Sequence, residues 1–247
     1  MTMLSSFLYI FFNLIYFSNP LVNTSWTYTS GDIKEVRIYS DRYFVVSKYN
    51  TENNSFISAV GGIYSFNEGY SEILEFDSSD STNVGDTVFY KKVKVNVRND
   101  SGKMSLDGVK YIKNIGDIQL AGSWLMSGIE RRGEMRMRDV NRPRKTMKML
   151  AGGRFQWIAY DTSKKGFYGT GGGTYTAERG NYIENIEFFS RDSISLLSVE
   201  NIAFSILFSR TIFESWLMLF LFEVVNSFIP VTKIASIGWV GEVSILL

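Results

Sequence analysis

One pattern occurs twice in this chain, and any fold must accommodate both copies. Displaced by 111 residues, Lys34, Phe44, Tyr49, Thr51, Phe56, Gly61, Gly62, Tyr64 and Gly69 fall on Lys145, Phe155, Tyr160, Thr162, Phe167, Gly172, Gly173, Tyr175 and Gly180. After one inserted residue, Tyr70, Glu72, Glu75, Phe76, Ser78 and Asp80 fall on Tyr182, Glu184, Glu187, Phe188, Ser190 and Asp192. Upstream, Ser25-Trp26 matches Ser123-Trp124, with 13 extra residues before the lysine of the second copy. A period of this length is that of a small domain, not of a solenoid repeat. The chain reads as a tandem duplication, with units over 21–117 and 118–193 of its 247 residues.

Within each unit the pattern is strand, turn, strand, glycine-marked turn, strand. Glu35–Tyr39, Tyr43–Tyr49, Phe56–Phe66 and Tyr70–Phe76 are rich in aromatic and β-branched residues and are bounded by polar turns, the mark of hairpin-connected strands. Thr87–Val97 reads as one further strand whose Val93, Val95 and Val97 face one side and Lys92, Lys94 and Asn96 the other, the alternation of a sheet with one wet face. Arg98–Lys103 reads as a turn and Val109–Ile112 as a last strand. No segment of the repeat carries a convincing helical period, so an all-β barrel or sandwich is expected.

Composition then removes chemistry. There is no Cys, hence no disulfide, no thiol nucleophile and no thiolate metal site, and no His, hence no imidazole base and no ordinary zinc site. The net charge of +1 gives no global field toward nucleic acid or an anionic membrane.

The two ends differ from the middle. Leu4–Phe17 is apolar, and no charge precedes Asp32. The run is short for a span and suits the core of a secretory signal peptide, expected over 1–20, although it lacks an initial Lys or Arg. After Ser193 the repeat stops, and 194–247 contains no Tyr and no Asp. This apolar tail is read either as out-of-frame sequence replacing the last strands or as a membrane anchor. Against the anchor, Arg210, Glu214 and Glu223 interrupt it at high cost in hydrocarbon.

Residues 145–192 and the Ala-Gly-Ser-Trp of 121–124 resemble an uncharacterised family of secreted or envelope lipocalin-like proteins in bacteria. The likeness covers 120–192 well and the first copy more loosely. It implies two tandem lipocalin-like (calycin-type) antiparallel β-barrels, the second incomplete because the family's strands after Phe-Phe-Ser-Arg-Asp are missing here, followed by the tail. It implies an extracytoplasmic location and no settled activity.

Features in both copies point to the fold, and features in one copy to a specialised site. Gly61-Gly62 and Gly172-Gly173 are shared and read as a bulge or close strand crossing. A phosphate-loop reading of 169–173 fails for want of a Lys-Ser/Thr and a following helix. Glu72/Glu75 and Glu184/Glu187 are shared too. Three apart on a strand, their members point to opposite faces and cannot form a catalytic dyad. The candidate ligand-binding set is Trp124, Arg154, Trp157, Tyr160, Phe167, Tyr175 and Tyr182, read as core first and as a ligand cage second, with Phe155, Trp157 and Ala159 on one face and Arg154, Gln156, Ile158 and Tyr160 on the other. The second copy's insertion, 130–144, reads as a solvated hairpin or loop, or as a basic rim at a barrel mouth with Arg131, Arg132, Arg136 and Arg138, continued by Arg142 and Arg144.

The leading expectation is an exported, non-enzymatic protein holding a small apolar or amphipathic ligand in a barrel. The alternative is an envelope interaction module acting through the basic insertion on a polymer or protein. A carboxylate-based hydrolase is the third reading. No catalytic residue, metal, cofactor or nucleic-acid partner is expected, and membrane association is left open.

Overall fold

The computed structural model describes residues 19–66, 69–98, 101–131, 134–178, 181–191, 206–210, 235–237 and 243–244. The apolar run of 4–17 and most of the tail lie outside them. Among the described residues the chain is all-β, with one 3-10 turn at Ser81–Asn83.

The first copy forms β1 (Thr24–Ser30), β2 (Ile33–Tyr39), β3 (Tyr43–Asn50), β4 (Phe56–Ser65), β5 (Tyr70–Asp77), β6 (Thr87–Tyr90), β7 (Val93–Arg98), β8 (Ser101–Leu106) and β9 (Val109–Lys113). These make a nine-stranded antiparallel sheet in the order β6-β5-β4-β3-β2-β1-β9-β8-β7. The two edge strands, β6 and β7, are consecutive in the chain with only Lys91 and Lys92 between them. The sheet must therefore curl until its edges approach, and it is a half-barrel. This corrects the reading of Thr87–Val97 as one strand. Its two halves pair with opposite ends of the sheet, β6 with β5 and β7 with β8, and the exposed lysines make the corner. Strand β8 also begins within the segment read as a turn.

The second copy forms β10 (Gly122–Arg131), β11 (Glu134–Met137), β12 (Arg144–Ala151), β13 (Arg154–Asp161), β14 (Gly166–Glu178) and β15 (Asn181–Phe189). The run β12-β13-β14-β15 repeats β2-β3-β4-β5, and β10 stands beside β12 as β1 stands beside β2. Where a second barrel was expected, the copy is a six-stranded antiparallel sheet. Its insertion becomes the hairpin β10–β11, and β11 pairs with β10 alone. Short strands lie at the margins. Ile206–Arg210 (β16) takes beside β10 the place that β9 has beside β1, Ala235–Ile237 (β17) pairs with it, and Val243–Ser244 (β18) meets the start of β15.

The shared glycines explain the shared bend. In both copies the ladder slips by one residue at the glycine pair, leaving Glu75 or Glu187 as the extra residue of the neighbouring strand. A Cβ on Gly62 would stand 2.0 Å from the Ile73 carbonyl oxygen, and one on Gly173 would stand 1.9 Å from that of Asn185. Only glycine lets the bulged strand pass so close.

Core residues occupy both faces of the sheets. Inside the half-barrel lie Trp26, Tyr39, Phe44, Tyr64, Tyr70, Met104, Leu106 and Tyr111, all buried. Phe155, Tyr175 and Tyr182 fill the corresponding face of the second sheet. The remaining core lies between the copies, where Val36, Ile38, Val45, Tyr49 and Phe76 pack with Met147, Met149, Ile158, Tyr160 and Phe188. The two units share a core.

Candidate functional site

Inside the half-barrel, β2 presents Glu35, Arg37 and Tyr39 to the face opposite Val36 and Ile38, as strand alternation requires. Arg37, buried, meets Glu72 of β5 at 2.6 Å and Glu35 at 3.3 Å. It also donates to the Tyr90 hydroxyl at 3.2 Å and to the Tyr39 hydroxyl at 3.4 Å. Tyr70 and Tyr90 both donate to Glu72, and Tyr111 donates to Glu35 at 2.7 Å. The rings of Tyr90 and Tyr111 lie 5.8 and 5.4 Å from the guanidinium carbon.

Burial works against the charge of Arg37, but Glu72 and the surrounding tyrosines more than offset it and hold its pKa above the ordinary arginine range. Burial pushes Tyr39 up to about 12, and it raises Tyr70 and Tyr90 as well. The tyrosines are therefore neutral donors at physiological pH, and both carboxylates are engaged by Arg37 and tyrosine hydroxyls. Such a network fixes geometry and offers no free base.

The second sheet holds a reduced form of the same arrangement. Lys148 stands at the repeat position of Arg37, is buried, and pairs with Glu184, to which Tyr182 also donates at 2.5 Å. Burial lowers the Lys148 pKa, and Glu184 pulls it back up. The repeat points to the glutamates but not to their cation, because Arg37 and Lys148 differ in type and do not count as a match. Their common place in the repeat, on a strand with an apolar opposite face, is the signal that could have found them.

The seven candidate ligand-binding residues fall on two faces. Trp124, Trp157, Tyr175 and Tyr182 belong to the cluster on the outer face of the second sheet, whereas Tyr160 and Phe167 lie in the core between the sheets. Arg154 lies on that inter-sheet face too, 2.8 Å from Glu187. Trp26 is buried with its indole N–H on Thr24 Oγ1 at 2.8 Å, and the half-buried Trp124 donates to the Leu120 carbonyl at 3.0 Å.

The basic rim lies at one end of the second sheet. Arg136 is exposed on β11, and Arg138 follows it, half-buried, with its backbone N–H on the Ser127 carbonyl at 2.7 Å. Partial burial and the neighbouring Arg144 both lower the Arg138 pKa. Arg144 lies over the ring of Tyr168 at 4.3 Å. Arg142 makes a long, exposed pair with Asp139 at 3.9 Å, a contact worth little. Among the described residues, Arg136, Arg138 and Arg144 have no carboxylate partner. Arg132 lies outside the described residues, and Arg131 is placed by its backbone at the end of β10. Among the described residues no three acidic side chains converge as metal ligands.

Compared with known proteins, the chain matches no family model, and no curated protein is found to match it.

Proposed function

We propose that this is a non-enzymatic interaction module that acts through the basic end of its second sheet, Arg136, Arg138 and Arg144, on an anionic polymer of the cell envelope. The observation that carries this reading is the placement of exposed Arg136, half-buried Arg138 and exposed Arg144, which lies over the Tyr168 ring, at one end of the sheet, with no carboxylate partner among the described residues. Like charges held together cost free energy, and an anion lying across them removes that cost. The packed interior of the half-barrel supports a surface function over an interior one. In this reading the units are calycin-type barrel derivatives of an exported protein. The test is recovery from envelope material by the full chain and by an Arg136→Ser, Arg138→Ser, Arg144→Ser variant. Native protein should be retained at low salt and released near 0.5 M salt, on the order of what screening of exposed charges requires. Equal retention of the variant would refute the proposal.

A second reading keeps the small apolar or amphipathic ligand. It rests on the edge strand β6, where exposed Val88, in register with Glu72, shares a strand face with Tyr90, whose hydroxyl reaches Glu72. A fluorescent fatty-acid probe that binds native protein and is lost in Tyr90→Phe and Val88→Ser would favour it.

A further inference from the structure

The contacts between the sheets come in reciprocal pairs. Lys34 of the first copy lies 3.4 Å from Glu187 of the second, and Lys145 lies 3.6 Å from Glu75. Tyr49 donates to Glu187, and its counterpart Tyr160 donates to Glu75 at 2.5 Å. Tyr49 stacks on Phe188 with ring centroids 4.7 Å apart, and Phe76 meets Tyr160 at 5.1 Å. Phe56 lies 6.2 Å from Phe188, and Phe167 lies 6.1 Å from Phe76. Phe56 and Phe167 occupy one repeat position, and they stack on each other at 6.2 Å within 7° of parallel.

In each comparison residue i touches j and the counterpart of j touches the counterpart of i, while one position meets its own counterpart. That is the contact rule of an isologous two-fold interface, with the axis passing between Phe56 and Phe167. The bulges serve it directly, since the extra residue of each is the glutamate that crosses to the other sheet. The rule breaks where Arg154, Gln156 and Thr170 replace Tyr43, Val45 and Ala59. There Gln156 gives its amide to Thr170 at 3.0 Å and leaves its buried Oε1 without a hydrogen-bond partner.

We propose that the inter-sheet face is a homotypic docking surface, and that its partner is a second copy of this chain, whose half can replace the chain's own. A self-complementary surface cannot distinguish a half supplied by its own chain from one supplied by another. The chain's own half is favoured by the short link over 114–121, which sets a high effective concentration. The ionic clasps at Lys34–Glu187 and Lys145–Glu75 set the address, so charge can redirect it.

The test uses two full-length chains and the absence of native cysteine. One carries Lys34→Glu, Lys145→Glu and Phe56→Cys. The other carries Glu75→Lys, Glu187→Lys and Phe167→Cys. Each alone faces like charges at both clasps, whereas together the clasps pair opposite charges. The like charge that Glu187→Lys sets beside Arg154 of its own half is the same in both cases and leaves the comparison intact. Co-refolded and oxidised, the mixture should give at least about tenfold more interchain disulfide than either chain alone, because like-charge juxtaposition costs several kcal/mol. No excess in the mixture overturns the proposal. Should a charge-reversed chain not fold, the Phe56→Cys and Phe167→Cys chains with native charges are co-refolded at low and high concentration. Cross-linked dimer that increases with concentration supports the proposal, and its absence at both concentrations overturns it.

Discussion

Gly62 and Gly173 are demanded by contact, not by backbone conformation. Alanine at either position drives a methyl into a carbonyl oxygen of the bulged strand, so each substitution should destabilise by about 1–3 kcal/mol or more. Gly31 differs, with φ of +56° and no atom within 4 Å of the point a Cβ would occupy, so Gly31→Ala should cost only about 1 kcal/mol. Urea midpoints at unchanged slope measure both, and equal losses would refute the distinction. Arg37 obeys the logic of a buried ion pair. Glu72→Gln leaves a buried cation short of its partner and should cost about 3–5 kcal/mol, whereas the joint replacement Arg37→Met with Glu72→Leu should cost far less. Equal losses in stability curves would show that the pair matters for more than mutual neutralisation. Tyr39 adds a pH dependence. Its folded pKa, about 12, lies above the ordinary 10, so the folded state holds its proton where the unfolded state releases it. Its contribution is complete below pH 10 and is lost as pH rises toward 12, on the order of 2–3 kcal/mol. Tyr39→Phe should flatten that part of the stability–pH curve, and an unchanged alkaline limb would count against the assignment.

At the scale of elements, the repeat makes β2–β5 and β12–β15 legible, because hairpin turns and aromatic alternation are local signals. The glycine pairs also show the bulges in advance. Thr87–Val97 reads as one strand because its Val-polar alternation runs on through Lys91 and Lys92, and local pattern does not reveal which edge of a curled sheet a strand will join. The candidate site is legible in part. Alternation correctly separates Phe155, Trp157 and Ala159 from Arg154, Gln156, Ile158 and Tyr160, but it cannot show that the second face is covered by the other copy. The bulge glutamates differ in a way that only the assembled sheets display. Glu187 receives Lys34, Arg154 and Tyr49, whereas Glu75 receives Lys145 and Tyr160. Burial pushes the Glu187 carboxyl up, but Arg154, Tyr49 and Lys34 hold it below the usual range. Its stabilising effect is therefore present above the ordinary glutamate pKa and is lost as pH falls through the lowered one. Glu187→Gln should cost about 1.5–3 kcal/mol, and Glu75→Gln less. Chemical denaturation at pH 7 and pH 3 checks this, and a larger loss for Glu75→Gln would reverse the ranking.

For the whole molecule, the shared core changes how the chain should come apart. A duplication suggests two units that melt separately, and domains joined by a polar, modest interface commonly do. Here Tyr49 of one copy stacks on Phe188 of the other, and Met147, Met149 and Ile158 lie in one cluster with Val36, Ile38 and Val45. Opening either sheet exposes the apolar face of its partner, and a buried Leu- or Phe-sized side chain contributes about 1.5–3 kcal/mol. With this many side chains involved, the coupling exceeds what either sheet is expected to retain alone. Hydrogen exchange read by mass spectrometry should thus show peptides from β2–β5 and β12–β15 opening with the same free energy and the same denaturant dependence. Glu75→Lys with Glu187→Lys, which sets like charges against each other at both clasps, should separate the two sets of peptides. If β12–β15 already opens at lower denaturant in the native chain, the inter-sheet core does not bind the halves into one cooperative unit.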